Sequence, residues 1–184
     1  MARTPSNMVS LGRKAPDFSL YDVISEEQKN LNELKGKSGS VIMFICNHCP
    51  YVKAIIEELV RTTKLLRSMG VRSVAIMPND ALKYPEDGFE KMKVFSNSNK
   101  FNFPYLYDES QKTAKAFGAV CTPDFYGYNS NDELQYRGRL CELKNLEYTK
   151  NSRNELLIAM TEISKTGKGP LNQNPSVGCS IKWK

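Results

Sequence analysis

Two of the five cysteines in this 184-residue chain stand close together, in Cys46-Asn47-His48-Cys49-Pro50, with the chain's single histidine between them. A Cys-x-x-Cys pair can cycle between dithiol and disulfide if its surroundings stabilise sulfur anion, because the thiolate is the attacking species. Cys46 falls just ahead of a helix start expected at Pro50, where unpaired N–H groups and the positive helix end would surround its sulfur. Pro50 suits an early-turn position, since its missing N–H costs nothing there. Cys46 is therefore expected to be the exposed nucleophile, and Cys49 the resolving thiol. An imidazolium at His48 would further favour the Cys46 thiolate and so stabilise the reduced pair.

The alternative for both cysteines is a structural role, either as a buried inert pair or as half of a zinc site. Zinc takes four ligands, and a second closely spaced pair is usual. Cys121, Cys141 and Cys179 are isolated from one another and no second histidine exists, so no metal is expected. A second chemical element is Cys121-Thr122-Pro123. From spacing alone Pro123 reads as a trans strand starter, because only about 5–6% of X–Pro bonds are cis. Cys121 is either a small buried side chain or, if the proline loop faces Cys46, a third or assisting redox thiol. Cys141 and Cys179 carry the same buried reading with less to set against it.

The flanking elements position these residues. Val41 to Ile45 is a short β-branched and aromatic run, as expected of a strand covered on both faces. After Pro50, apolar residues at Val52, Ile55, Ile56, Leu59, Val60, Leu65 and Leu66 mark one face of a helix that Gly70 ends. A strand is expected over 71–77, a helix over 89–95, a brief strand over 105–107 and a helix over 110–117. A hairpin over 124–137 follows, turning at 129–132. Ser152-Arg153-Asn154-Glu155 fits a capping box for a last helix with Leu156, Leu157, Met160 and Ile163 inward. Near the start, 17–21 alternates as a half-buried strand. Such alternation of strand and helix implies an α/β sandwich with a mixed sheet. Cys46 then lies at the carboxyl edge of that sheet, where open α/β sheets bind ligands.

Length predicts about one domain, here 1–166 with the redox motif at 46–49, followed by a basic tail over 167–184. Ile181 and Trp183 suggest that the end of this tail docks on the body, together with Cys179. Net charge is +6, from 26 basic and 20 acidic side chains. Lys165, Lys168, Lys182 and Lys184 supply four of those excess charges without any nucleic-acid-binding motif, so no nucleic-acid partner is expected. No window approaches the roughly 18 apolar residues of a membrane span. The first residues also lack the apolar core of a secretory signal. A cytoplasmic protein without a stapling disulfide framework is expected.

Phe44-Ile-Cys-Asn-His-Cys-Pro-Tyr-Val52 resembles the signature of a thioredoxin-like, peroxiredoxin-like branch of the alkyl hydroperoxide reductase and thiol-specific antioxidant (AhpC/TSA) family. Gly12 to Leu20, Gly118 to Phe125, Tyr136 to Arg139 and Gly178 to Lys184 match in order, so the resemblance covers nearly the whole chain. It implies a thioredoxin fold with an N-terminal extension and a C-terminal tail. It implies that Cys46 and Cys49 are the redox pair, and that Thr122-Pro123 is a cis-proline loop beside them. Backbone groups of Thr122 would then pair with substrate in strand fashion, with Cys121 part of the branch's pattern. Two departures stand out. Peroxiredoxins carry Pro-x-x-x-Thr-x-x-Cys, whereas the positions three before Cys46 and Cys49 hold Met43 and Cys46. An acidic pair is expected after Arg137-Gly138-Arg139, yet Leu140-Cys141-Glu142 retains one acid.

The expected function is thiol–disulfide oxidoreduction by Cys46 and Cys49 without a bound cofactor. A disulfide-containing protein or a peroxide is the expected substrate, with a thioredoxin or glutathione system as reductant. The midpoint potential is expected between about −270 mV and about −120 mV, more oxidising than thioredoxin. The alternative activity is a thiol-dependent, antioxidant peroxidase, to which Arg137 or Arg139 would lend a charge. A metal-binding protein is the remaining reading.

Overall fold

The computed structural model describes residues 3–149 and 151–184. Its centre is the strand expected ahead of the cysteine pair. This strand, Gly39–Phe44, alternates strictly: Val41 and Met43 face one apolar cluster, Ile42 and Phe44 the other. Both faces of such a strand must be covered, and both are. In chain order the strands are β1 Arg3–Pro5, β2 Ser19–Asp22, β3 Glu27–Asn30, β4 Gly39–Phe44, β5 Val71–Met77, β6 Tyr105–Tyr107, β7 Cys121–Thr122, β8 Asp124–Tyr128, β9 Leu134–Gly138 and β10 Val177–Ser180. The helices are α1 Leu31–Leu34, α2 Pro50–Ser68, α3 Phe89–Ser98, α4 Lys112–Phe117 and α5 Glu155–Thr166.

Seven strands form a mixed sheet in the order β3-β2-β6-β5-β4-β8-β9. Neighbours β4–β5 and β5–β6 are parallel, and the remaining pairings are antiparallel. Residues of α2, α3 and α5 pack on one face of the sheet, and those of α1 and α4 on the other. The chain is thus a mixed α/β protein with a thioredoxin-type layer order. Outside the main sheet, β10 lies between β1 and β7 in a three-stranded antiparallel ribbon.

Several elements differ from the sequence reading for identifiable reasons. In α2, Leu65 faces outward at 38% exposed, while Thr62 and Thr63 are buried on the inward side. Thr62 Oγ1 accepts from Asn154 Nδ2, and Thr63 Oγ1 contacts the Val60 carbonyl, so hydrogen bonds replace apolar surface there. The last helix is capped by Asn154, not Ser152: the Asn154 side chain accepts from Leu157 N–H at 2.9 Å. Asn154 also donates to Glu58, a buried carboxylate that needs partners. A reciprocal capping box does occur, at Asn30 and Glu33 of α1. Strand β3 was not anticipated, because Glu27-Gln28-Lys29-Asn30 has no apolar residue to show a period.

The end of the chain packs against the body, whereas Leu171 is 94% exposed. Ile181 is buried, the Lys182 N–H donates to Asn79, and the Lys182 carbonyl accepts from Asp80 N–H and Gln111. Lys115 sits over the Trp183 ring.

Candidate active site

Cys46 follows β4 and Cys49 is the N-cap residue of α2, with Pro50 at the first helical position. The Thr122–Pro123 bond is cis, as the resemblance implies, and brings Thr122 onto both sulfurs. Cys46 Sγ lies 3.3 Å from Thr122 Oγ1, and the Cys49 thiol donates to the Thr122 carbonyl at 3.1 Å. Thr122 thus lies against both sulfurs with Pro123 next to it, the placement the resemblance implies and spacing alone does not. Exposure is a correction: Cys46 is only 1% exposed and Cys49 is fully buried, so the nucleophile is not at the surface of this conformation.

A third sulfur completes the cluster. Cys49 Sγ lies 3.1 Å from Cys179 Sγ on β10, whose register pairs Cys179 with Thr122. In a strand, successive side chains alternate faces. Thr122 and Cys179, cross-strand partners, both meet the redox pair, while Cys121 and its partner Ser180 turn the other way. Cys121 was a candidate for this site; it lies instead beside the Asp124–Arg137 ion pair, its sulfur 3.9 Å from the Pro123 carbonyl. Burial and Asp124 push the Cys121 thiol well above its ordinary range. Sequence reasoning gave Cys179 less weight than Cys121, and the geometry reverses that order.

The edge of Thr122 that was expected to accept a substrate strand is already paired with β10. Gly178 makes this approach possible: a Cβ there would lie 1.9 Å from the Thr122 carbonyl oxygen, so no side chain fits.

His48 also departs from expectation. Its Nδ1 lies 2.7 Å from Asp87 Oδ2, a close ion pair bent away from an ideal hydrogen bond, and its ring stacks on Tyr84. Asp87 raises the His48 pKa, which favours imidazolium. The same carboxylate is fully buried and opposes charge on Cys46, so the imidazolium does not act on that sulfur alone. Asn47 N–H and Asn79 Nδ2 donate to Asp87, and Tyr105 O–H donates to Asn47. Nothing in the sequence around Pro85-Glu86-Asp87 signals this role. Its only local marker is a turn.

The sulfurs of Cys46 and Cys49 titrate as a unit, in two steps that belong to the pair. Cys46 and Cys179, together with the Val52 and Cys179 N–H groups, favour anion on Cys49 and pull it down to about 5. Cys49 stands at the positive end of α2, where the helix dipole also favours sulfur anion. The Cys49 contact, burial and Asp87 push Cys46 up. These contacts favour anion on Cys49 over Cys46 in this conformation, whereas the sequence reading places it on Cys46.

Cys46, His48 and Asp87 place three potential metal donors within 4.8 Å of one another. Both Asp87 oxygens are engaged by Asn47, Asn79 and His48, and three donors fall short of a closed zinc set. Arg137 and Arg139 have other work. Arg137 is buried against Asp124 and over the Tyr126 ring, and Arg139 pairs with Glu155 at 2.8 Å and Glu142 at 3.9 Å. Cys141, where a second acid was expected, is a buried thiol pushed up to about 11. Beside the pair, Tyr51, Pro123, Phe125, Arg139, Ser176 and Val177 line part of a cleft of about 300 Å³.

Among curated proteins, no match to the chain is found. Solved structures do resemble it. An uncharacterised conserved protein from Geobacillus kaustophilus is 43% identical, with a TM-score of 0.94 over 100% of this chain and 97% of that one. A hypothetical protein from Sinorhizobium meliloti 1021 is 36% identical, with a TM-score of 0.92 over 98% of each chain. The thioredoxin domain of a thiol-disulfide oxidoreductase from Bacteroides vulgatus shares the fold at 15% identity, with a TM-score of 0.60 over 71% of this chain and 89% of that one. Residues 11–140, which carry the cysteine pair and the cis-proline loop, match the model of the AhpC/TSA family, and the chain belongs to that family.

Proposed function

We propose that the protein is a thiol–disulfide oxidoreductase whose Cys46 and Cys49 cycle between dithiol and disulfide. What supports this most directly is Thr122, which meets both sulfurs at 3.3 and 3.1 Å at the start of α2. Cys46 Sγ, as thiolate, attacks one sulfur of a substrate disulfide, and the other sulfur leaves with the electron pair and takes a proton. The Cys49 thiolate then attacks Cys46 Sγ, releasing the second substrate thiol. Anion favoured on Cys49 passes to Cys46 by moving one proton between the two. An external dithiol or glutathione reduces the resulting disulfide, and no bound organic cofactor enters the cycle. Because the sulfurs are buried, a protein substrate has to part the covering chain, and the cleft beside Pro123 is where it would dock. We place this activity in the cytoplasm, with a thioredoxin or glutathione system as reductant and no role for nucleic acid, membrane or metal.

Burial of Cys46 favours one second reading, a thiol peroxidase, because a small peroxide reaches an enclosed sulfur more readily than a protein does. The Cys46 thiolate would take the distal peroxide oxygen to become a sulfenic acid, releasing alcohol, and Cys49 would condense with it, releasing water. Met43 in place of threonine, and the commitment of Arg137 and Arg139 elsewhere, weigh against it.

A glutathione redox titration with mass mapping tests the leading reading. A two-electron transition at Cys46 and Cys49, between about −270 and about −120 mV, is expected. No disulfide there across the range sinks it. Rapid thiol loss at equimolar peroxide would move the assignment to the peroxidase.

A further inference from the structure

Cys179 enters the site with the strand that occupies the Thr122 edge, and this placement has a chemical consequence. Building on the oxidoreductase reading above, we infer that Cys179 is a built-in exchange partner, the third redox thiol of the site, and that β10 delivers it as a substrate strand would deliver a cysteine. Its sulfur touches Cys49 Sγ at 3.1 Å, both are buried, and no other residue separates them. Its strand register is fixed on both sides, by Arg3 of β1 and Thr122 of β7. Gly178 permits the close approach that aims Cys179 at the pair.

The step is an isomerisation. With Cys46 and Cys49 joined, the Cys179 thiolate attacks Cys49 Sγ. A Cys49–Cys179 bond forms, the Cys46–Cys49 bond breaks, and Cys46 leaves with the electron pair. The proton lost from Cys179 is returned to Cys46, where Thr122 Oγ1 is in contact with the sulfur. No net oxidation or reduction occurs and no further reactant is needed. The oxidised protein thereby regains a free Cys46 while its oxidising equivalent is held on Cys49 and Cys179. The attacking species is the Cys179 thiolate, so exchange speeds as pH rises.

The test uses the full chain. Cys46 and Cys49 fall on one tryptic peptide, 38–53, and Cys179 on another, 169–182, so the two pairings separate by mass. Reduced wild type, Cys46→Ser and Cys179→Ser are each oxidised with diamide, alkylated with N-ethylmaleimide and mapped. In Cys46→Ser, a covalent link between peptides 38–53 and 169–182 within one chain is expected. In oxidised wild type, the alkylating agent is expected at Cys46 in a fraction of molecules, and that fraction disappears in Cys179→Ser. The wild-type readout needs no folded variant. A Cys46–Cys49 disulfide in wild type with label at Cys179 but none at Cys46 or Cys49, and no 49–179 link in folded Cys46→Ser, overturns the exchange role and leaves the oxidoreductase standing. Absence of the Cys46–Cys49 disulfide in Cys179→Ser sinks the oxidoreductase itself, and this inference with it.

Discussion

Cys121 and Thr122 are adjacent in the chain, yet they belong to two opposite environments. On the Thr122 side, three sulfurs share hydrogen bonds, and Cys49 is pulled down to about 5. On the Cys121 side, Asp124 and Arg137 form a buried ion pair beside Tyr126, and burial pushes the carboxyl up to about 6. Both regions are buried and polar. Only in the first do the surroundings favour an anion on a sulfur; in the second they oppose one. Proximity to a redox motif in sequence does not confer reactivity; the face of the strand decides.

The largest effects should separate the two sides. Cys49→Ser should abolish the two-electron transition in a glutathione titration, whereas Cys121→Ala should leave its midpoint in place. A midpoint moved by Cys121→Ala would break the distinction. Arg137→Met should act on stability instead: it leaves a buried carboxylate uncompensated, at a cost of about 3–5 kcal/mol by denaturant unfolding. Smaller still is Gly178→Ala. The new methyl meets the Thr122 carbonyl, so β10 must shift, with a loss of about 1–3 kcal/mol and a weaker Cys49–Cys179 link on oxidation.

Two pH measurements sharpen the contrast. Thiolate absorbance of the reduced protein should show one anion forming with a midpoint near 5 in wild type and not in Cys49→Ser. The anion is present above that midpoint and lost as pH falls through it. The smallest effect concerns His48, the single histidine and hence a single NMR titration. Its midpoint should lie above the ordinary imidazole value, and Asp87→Asn should lower it. Because the folded-state pKa is raised, the His48–Asp87 pair stabilises the fold fully below the unfolded value of about 6.5. That contribution fades as pH rises through the folded value.

Much of the central layer was readable from local period. Val41 to Ile45 and the three- and four-residue spacing from Val52 announce a covered strand and an amphipathic helix, and these two elements alone bring Cys46 and Cys49 together. Pro123 could be assigned cis only through the family resemblance. What escaped was settled by distant partners. Strand β3 has no apolar period, Ser152 and Asn154 are both acceptable caps until Glu58 selects one, and Asp87 acquires its role only from Asn47, His48 and Asn79. Cys179 was hardest to place, because no periodicity records a pairing between β10 and β7.

The 130-residue separation between Cys49 and Cys179 carries a consequence for synthesis of the chain. Translation proceeds at about 5–20 residues per second, so a nascent chain displays Cys46 and Cys49 for several seconds before β10 exists. Thr122 emerges 73 residues after Cys49, and its edge then stays unpaired until β10 follows. Emergence of β10 both pairs that edge and sets the Cys179 sulfur against Cys49.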